Sequence, residues 1–139
     1  MKNNKTIMLV EDNPDHVMLA MRALKIAGFS HEVVIMTDGE QALEYFQGKS
    51  KHELPRVILL DLGLPGISGL EVLQQIRSGP LTRDLPVVIL STSDEIDDKR
   101  EGYAIGANSY IIKPVEFDRF VHVVEMLGEY WLDLNESYA

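Results

Sequence analysis

Cysteine is absent from the 139 residues, so disulfides, thiolate metal sites and thiol nucleophiles are all excluded. Long apolar runs are missing too. The longest clean stretch, Val17 to Met21, holds five residues, far from the roughly 20 that a membrane-spanning helix needs, so no membrane partner is expected. The stretch Ile7 to Val10 meets Glu11 too early to be a signal-peptide core, which points to the cytoplasm. Basic residues are scarce: 13 Lys and Arg face 22 Asp and Glu, a net charge of −9. A nucleic-acid backbone needs clustered cations, so nucleic acid is not an expected partner either. What the chain does have is 45% hydrophobic residues, enough for a proper core. Its length fits one domain of about 100–150 residues. No repeat, low-complexity stretch or linker divides it, and residues 1–139 read as one domain.

The apolar residues come in four quartets: Ile7-Met8-Leu9-Val10, Val33-Val34-Ile35-Met36, Val57-Ile58-Leu59-Leu60 and Val87-Val88-Ile89-Leu90. A shorter run is Tyr110-Ile111-Ile112. Continuous apolar runs predict strands buried on both faces, as in a parallel sheet. Between them the spacing turns helical. Val17, Ala20, Met21 and Leu24 follow Pro14 and precede Gly28; Ala42, Leu43 and Phe46 precede Gly48; Leu70, Leu73 and Ile76 precede Gly79-Pro80. A polar helix is expected from about Asp97 to Ile105, closed by Gly106, and a last one carries Phe117, Phe120, Val121, Val124, Leu127 and Trp131 on one side. The fold class is therefore α/β, a (βα)5 doubly wound parallel sheet with right-handed crossovers.

The polar residues that follow each strand are more telling than the composition. Glu11-Asp12 follow the first run, Thr37-Asp38 the second, Asp61 the third, Ser91-Thr92-Ser93 the fourth and Lys113-Pro114 the fifth. Ligands of open α/β sheets bind outside the carboxyl ends of the strands, where strand order reverses. The flavodoxin-like order 2-1-3-4-5 sets strands one, three and four side by side, so that Asp12, Asp61 and Ser91 line one mouth beside Lys113. The order 3-2-1-4-5 would part Asp12 from Asp61. Three carboxylates in one crevice repel one another unless a cation intervenes. Lys113 supplies one positive charge, and an all-oxygen site suits Mg2+ for the remainder. A carboxylate that meets Mg2+, a lysine and a hydroxyl is placed to attack a phosphoryl group and form an acyl phosphate.

These stretches carry a resemblance. Met8-Leu9-Val10-Glu11-Asp12-Asn13, Leu60-Asp61-Leu62-Gly63-Leu64-Pro65-Gly66, Leu90-Ser91-Thr92-Ser93 and Gly106 to Pro114, in this order and spacing, resemble the receiver domain of a two-component response regulator over essentially the whole chain. Within that family the Ser91-Thr92-Ser93 triplet and the Tyr130-Trp131-Leu132 ending look similar to stand-alone regulators paired with bacterial phytochromes. The resemblance implies that Asp61 accepts phosphate from a sensor histidine kinase or phosphotransfer protein. Glu11, Asp12, Asp61 and the Gly63 carbonyl would hold Mg2+, Lys113 would bind the phosphoryl group, and Ser91 and Tyr110 would form the switch. It also implies a signalling protein with slow self-dephosphorylation rather than an enzyme, no output domain, and a cis Lys113-Pro114 bond. The fourth helix, fifth strand and fifth helix would be the output face, open to a second copy. Gly63 and Ser91 depart from the residues commoner at their positions, which bears on the lifetime of the acyl phosphate and the tightness of the switch.

Blander readings exist for each residue alone. Asp12 or Asn13 could cap the first helix, whereas Ser68 is the natural cap of the third, which leaves Asp61 without a structural task. Lys113 could be a solvated strand-end lysine and Tyr110 a half-buried aromatic. Gly63-x-x-Gly66-x-x-Gly69 lacks the ending of a phosphate loop and reads as turn geometry. His16, His31, His52 and His122 read as surface residues, and Asp94, Glu95, Asp97 and Asp98 as a solvated helix start. Three other functions fit the sequence less well. An aspartate-nucleophile phosphohydrolase of the haloacid dehalogenase type needs Asp-x-Asp where Glu11-Asp12 stand. A flavin carrier needs a hydroxyl- and glycine-rich loop there. A phosphorylation-silent receiver-like scaffold is opposed by the full set of acids, hydroxyl and lysine.

Overall fold

Strand side chains alternate between two faces of a sheet, so a short apolar quartet supplies two cores at once. In a computed structural model, which describes residues 6–29, 32–113 and 116–134, the quartets form β1 (Ile7–Val10), β2 (Val33–Met36), β3 (Val57–Leu60) and β4 (Val87–Ser91), and the last run forms β5 (Ser109–Ile112). The helices between and after them are α1 (Pro14–Ile26), α2 (Gly39–Tyr45), α3 (Gly69–Ser78), α4 (Ile96–Ile105) and α5 (Phe117–Gly128), the last continued by a π-helical turn, Glu129–Leu134. The five strands pair in parallel in the order β2-β1-β3-β4-β5, as expected from the acids.

Ile7, Leu9, Val57, Leu59, Val88 and Leu90 share one core with Ala20, Ala23 and Leu24 of α1 and Phe120, Val121 and Val124 of α5. The intervening residues Met8, Val10, Ile58, Leu60, Val87 and Ile89 build a second core with Ala42, Val72, Leu73 and Ile76 of α2 and α3. Phe117, Leu127 and Trp131 pack partly buried against the first core, as their stripe predicts. Burial on both faces holds for β1, β3 and β4 but not for β2 or β5. These are the sheet's edges, each with a single strand neighbour, and they are only half covered; Ile35 is 37% exposed.

The helix starts resolve the capping question. Asn13 Oδ1 accepts hydrogen bonds from the Asp15 and His16 amides with Pro14 at the first helical position, and Ser68 caps α3 through the Glu71 amide. Asp12 and Asp61 therefore have no capping task. Pro114 lies outside the described residues, as does His31, so the expected cis bond and that histidine are not part of the structure described.

At the sheet edge away from the site, Arg77 ties three segments together. Its Nε and Nη2 donate to the Gly106 carbonyl at 3.0 and 2.8 Å, Nη2 also reaches Asn108 Oδ1 at 2.9 Å, and Nη1 reaches the Arg83 carbonyl at 3.1 Å. Asn108 Oδ1 in turn accepts the Val87 amide at 2.8 Å. The fork thus fixes the carboxyl end of α4 to α3 and to the start of β4. Charge-assisted bonds of this kind are worth more than neutral ones, and their loss takes both guanidinium donors from the half-buried Gly106 carbonyl. Arg77→Ala is expected to lower stability by about 2–3 kcal/mol in urea unfolding. Arg77→Lys, which lacks the planar fork, should recover less than half of that loss.

Candidate functional site

The register Val10↔Leu60 between β1 and β3 sets the next residues, Glu11 and Asp61, level at the carboxyl edge. The Asp61 amide donates to the Val10 carbonyl at 3.0 Å, and the Glu11 amide to the Met36 carbonyl at 2.9 Å. From β1 the chain continues to β2 on one side, and β3 lies on the other, so the acids straddle the point where strand order reverses. Ser91 ends β4, and Lys113 follows β5 with its amide bonded to the Ser91 carbonyl at 2.6 Å. Short strands in register deliver four separated sequence positions to one mouth.

Carboxylate oxygens of Glu11, Asp12 and Asp61 all lie within 4.8 Å of one another. Lys113 Nζ sits 2.5 Å from Glu11 Oε1 and 3.8 Å from Asp61 Oδ1. Glu11 is 3% exposed and Lys113 9%, so this is a buried ion pair. The other Glu11 oxygen accepts the Asn13 amide at 3.3 Å. Glu11 is thus committed largely to the lysine, while exposed Asp12 and half-buried Asp61 face a cleft of about 550 Å³. Burial raises the Asp61 pKa above its ordinary value, and the charges of Glu11 and Asp12 push the same way; Lys113 and the Leu62 amide oppose them.

Backbone packing holds Asp61 in place. A Cβ on Gly69 would lie 2.3 Å from the Asp61 carbonyl oxygen and 2.6 Å from Leu62 Cα, so only glycine lets α3 begin against the end of β3. Gly63 differs. A Cβ there would meet nothing closer than Asp61 Oδ2 at 3.8 Å, so glycine leaves open space beside the carboxylate. Ser91 is 4% exposed, and its Oγ accepts the Ser93 amide at 3.0 Å, which keeps the hydroxyl proton free for donation. The Tyr110 hydroxyl donates to the Ser93 carbonyl at 2.9 Å from a half-buried position.

Two residues read as surface belong to this mouth. His16 Nδ1 stands 3.2 Å from Lys113 Nζ and 3.5 Å from Glu11 Oε1, because it lies on the first turn of α1 directly above Glu11. The ammonium that close makes the Nδ1 lone pair the natural acceptor of a Lys113 proton. Its position in Glu11-Asp12-Asn13-Pro14-Asp15-His16, one turn from the acids on a Pro14-started helix, is the signal that could have found it. Asp98 is likewise half-buried rather than solvated; its Oδ2 accepts the Ser93 hydroxyl at 2.5 Å, and it lines the cleft. His52 and His122 are exposed, as are Asp94, Glu95 and Asp97.

Residues 7–125 match the response regulator receiver domain. The chain belongs to that family. It is 46% identical over 136 residues to the probable methanogenesis regulatory protein FilR2 of Methanothrix harundinacea, covering 94% of this chain and 86% of FilR2. It is 35% identical over 132 residues to the response regulator Rcp1 of Synechocystis, covering 93% of this chain and 90% of Rcp1. The phosphorylated cyanobacterial phytochrome response regulator RcpA superposes with a TM-score of 0.87 at 37% identity, over 98% of this chain and 99% of RcpA. The Mn2+-bound form of Rcp1 gives 0.84 at 34% identity, over 97% and 99%. The protein is a receiver-type response regulator, and its family signals through phosphorylation and holds Mg2+ or Mn2+ in an acidic pocket. Among the described residues no helix is long and apolar enough to cross a membrane.

The raised Asp61 pKa makes a pH prediction. A carboxyl that binds its proton more tightly when folded contributes stability below the unfolded pKa and loses it as pH rises through the folded value. Without divalent ions, urea stability should therefore fall as pH climbs past the ordinary carboxylate value of 3.8. Asp61→Asn should flatten that fall and be the more stable protein at neutral pH. Mg2+ should restore stability to the native protein far more than to the variant.

Proposed function

We propose that Asp61 is the phosphoacceptor of a single-domain response regulator, with the gathering of Glu11, Asp12 and Asp61 around Lys113 as the observation that carries the reading. The phosphodonor is a histidine kinase or phosphotransfer protein met in the cytoplasm. An Asp61 oxygen bonds to phosphorus as the bond from phosphorus to the donor's imidazole nitrogen breaks, and that nitrogen keeps the electron pair. Lys113, released from part of its hold on Glu11, pairs with a phosphoryl oxygen, and the free Ser91 proton bonds another.

A hard divalent cation fits this donor set. Three carboxylates offer oxygen, and the neighbouring His16 nitrogen is occupied by Lys113. Asp12, Asp61 and the Gly63 carbonyl would hold Mg2+, with Glu11 contributing around its bonds to Lys113 and Asn13. When bound, Mg2+ neutralises charge on the transferring phosphoryl oxygens. The product is an acyl phosphate that this chain would lose by slow hydrolysis, without acting as an enzyme on other substrates.

Output passes through a protein face. Ile96 and Tyr103 of α4, Ile112 of β5, Met126 of α5 and Tyr130 of the terminal turn are exposed large apolar residues, 36–66% accessible. Such a face suits a second copy or a downstream protein better than nucleic acid, given the net charge of −9. Phosphorylation biases a two-state equilibrium of this face, with Ser91 and Tyr110 as its switch residues.

Intact mass after incubation with a small-molecule phosphodonor tests the assignment. The native protein should gain one phosphoryl group only with Mg2+, and Asp61→Asn should gain none. A gain in Asp61→Asn, or none in the folded native protein with either a phosphodonor or phosphorylated kinases, would overturn the reading. Lys113→Ala should mainly uncouple phosphorylation from the output face. Filling the open space beside Asp61 with Gly63→Met should exclude water and lengthen the acyl-phosphate lifetime several-fold, read as the decay of the mass gain.

A further inference from the structure

Lys113 reaches the mouth from the end of an edge strand that is only half covered, on a long stem with many rotamers. The strand alone does not fix its ammonium; the acceptors do. Glu11 Oε1 holds Nζ at 2.5 Å and His16 Nδ1 holds it at 3.2 Å. Asp61 Oδ1, at 3.8 Å, lies beyond hydrogen-bond reach. An ammonium has three protons to donate, so two are committed toward β1 and α1 and one is left for the side of Asp61.

The chain holds His16 by its backbone. Its amide donates to Asn13 Oδ1 at 3.4 Å, behind Pro14 at the first helical position, and the Asn13 amide donates to Glu11 Oε2 at 3.3 Å. Glu11, Asn13, His16 and Lys113 thereby close a ring of hydrogen bonds. The two acceptors of the ammonium differ in charge. Glu11 is one of three crowded carboxylates and cancels part of the lysine's charge, whereas an imidazole nitrogen that accepts from an ammonium is neutral. A fourth carboxylate in place of His16 would add to the repulsion in the mouth. His16 anchors the ammonium without cancelling its charge.

We infer that His16 is a positioning residue: through Nδ1 it fixes the direction of the Lys113 ammonium, so that the remaining N–H and its charge are presented to a phosphoryl group on Asp61. The inference rests on Asp61 being the phosphoacceptor and names the residue that orients its lysine. One acceptor holds an ammonium at a point; a second removes its rotation about that contact. A donor oriented in advance lowers the barrier to transfer, because it is in place as charge develops. His16 touches no phosphoryl group and acts only through Lys113.

Two variants separate the acceptor from the bulk of the ring. His16→Asn places Oδ1 at the same bond separation from Cα as Nδ1, and His16→Leu keeps an apolar side chain there without any acceptor. Neither touches the Asn13 cap, which uses the His16 amide. The rate of phosphorylation by a small-molecule phosphodonor at saturating Mg2+, read by intact mass, should fall about fivefold in His16→Leu and return to within about twofold of native in His16→Asn. Hydrogen exchange of the Lys113 ammonium, followed by nitrogen NMR without phosphodonor or Mg2+, should quicken in His16→Leu and stay near the native rate in His16→Asn. A native or faster phosphorylation rate in folded His16→Leu, or an equal loss in both variants, would overturn the inference and leave Asp61 as the phosphoacceptor. An ammonium that exchanges no faster in His16→Leu would do the same. A native protein that takes no phosphoryl group would overturn the reading of Asp61 and the inference with it.

Discussion

Repulsion among Glu11, Asp12 and Asp61 is the constraint around which the rest of this protein is arranged. Parallel pairing of β1 and β3 in the register Val10↔Leu60 forces Glu11 and Asp61 to the same level, and Asp12 follows one residue later. Burial raises the energy of the charged forms, and the one lysine that answers them is spent chiefly on Glu11. The site is left short of positive charge on its open side. A divalent cation would relieve that shortage, and a phosphoryl group brought in with the cation would shift it again. A response regulator needs such a site, because the arrival of charge must change the energy of the whole mouth.

The fold divides into a rigid part that holds the acids and a looser part that can report on them. The two cores on either side of β1, β3 and β4 are nearly dry, and Gly69 lets the start of α3 press directly on the Asp61 backbone. Asp61 therefore cannot drift. On the far side of Ser91, the loop to α4 is held by side-chain hydrogen bonds rather than by packing, and α4 buries a single glycine. Arg77 keeps that helix from detaching by fixing its carboxyl end. The placement of rigidity and looseness follows from sequence: apolar quartets in the centre, and the polar run Ser91 to Asp98 at the movable edge.

Much of this was legible before any coordinates. Quartets of β-branched and aliphatic residues announced the strands, Ser68 and the Asn13-Pro14 pair announced the helix starts, and the demand that Asp12 and Asp61 work together selected the strand order. The sequence overstates the burial of β2 because Val33 to Met36 has the same composition as the central strands, and only its place at the sheet edge exposes it. His16 and Asp98 read as solvated groups in the sequence for a related reason. A polar residue on a helix's first turn looks the same in sequence whether that turn faces water or overhangs a strand end. Arg77 gives no local signal either, since Gly106 and Asn108 are distant in the chain and its acceptors at Gly106 and Arg83 are backbone carbonyls, which no side-chain pattern reveals.

Divalent-ion binding tests the central claim most directly, since it asks whether the three carboxylates are poised for a cation before any phosphate arrives. In a calorimetric titration of the unphosphorylated protein with Mg2+, the account predicts one binding site in the native chain. Asp12→Asn and Asp61→Asn should each weaken that site at least roughly tenfold, because each removes a charged oxygen ligand from a hard cation and even outer-shell losses cost about that much. Native protein that binds no Mg2+, or variants that bind it as tightly as the native chain, would contradict the account.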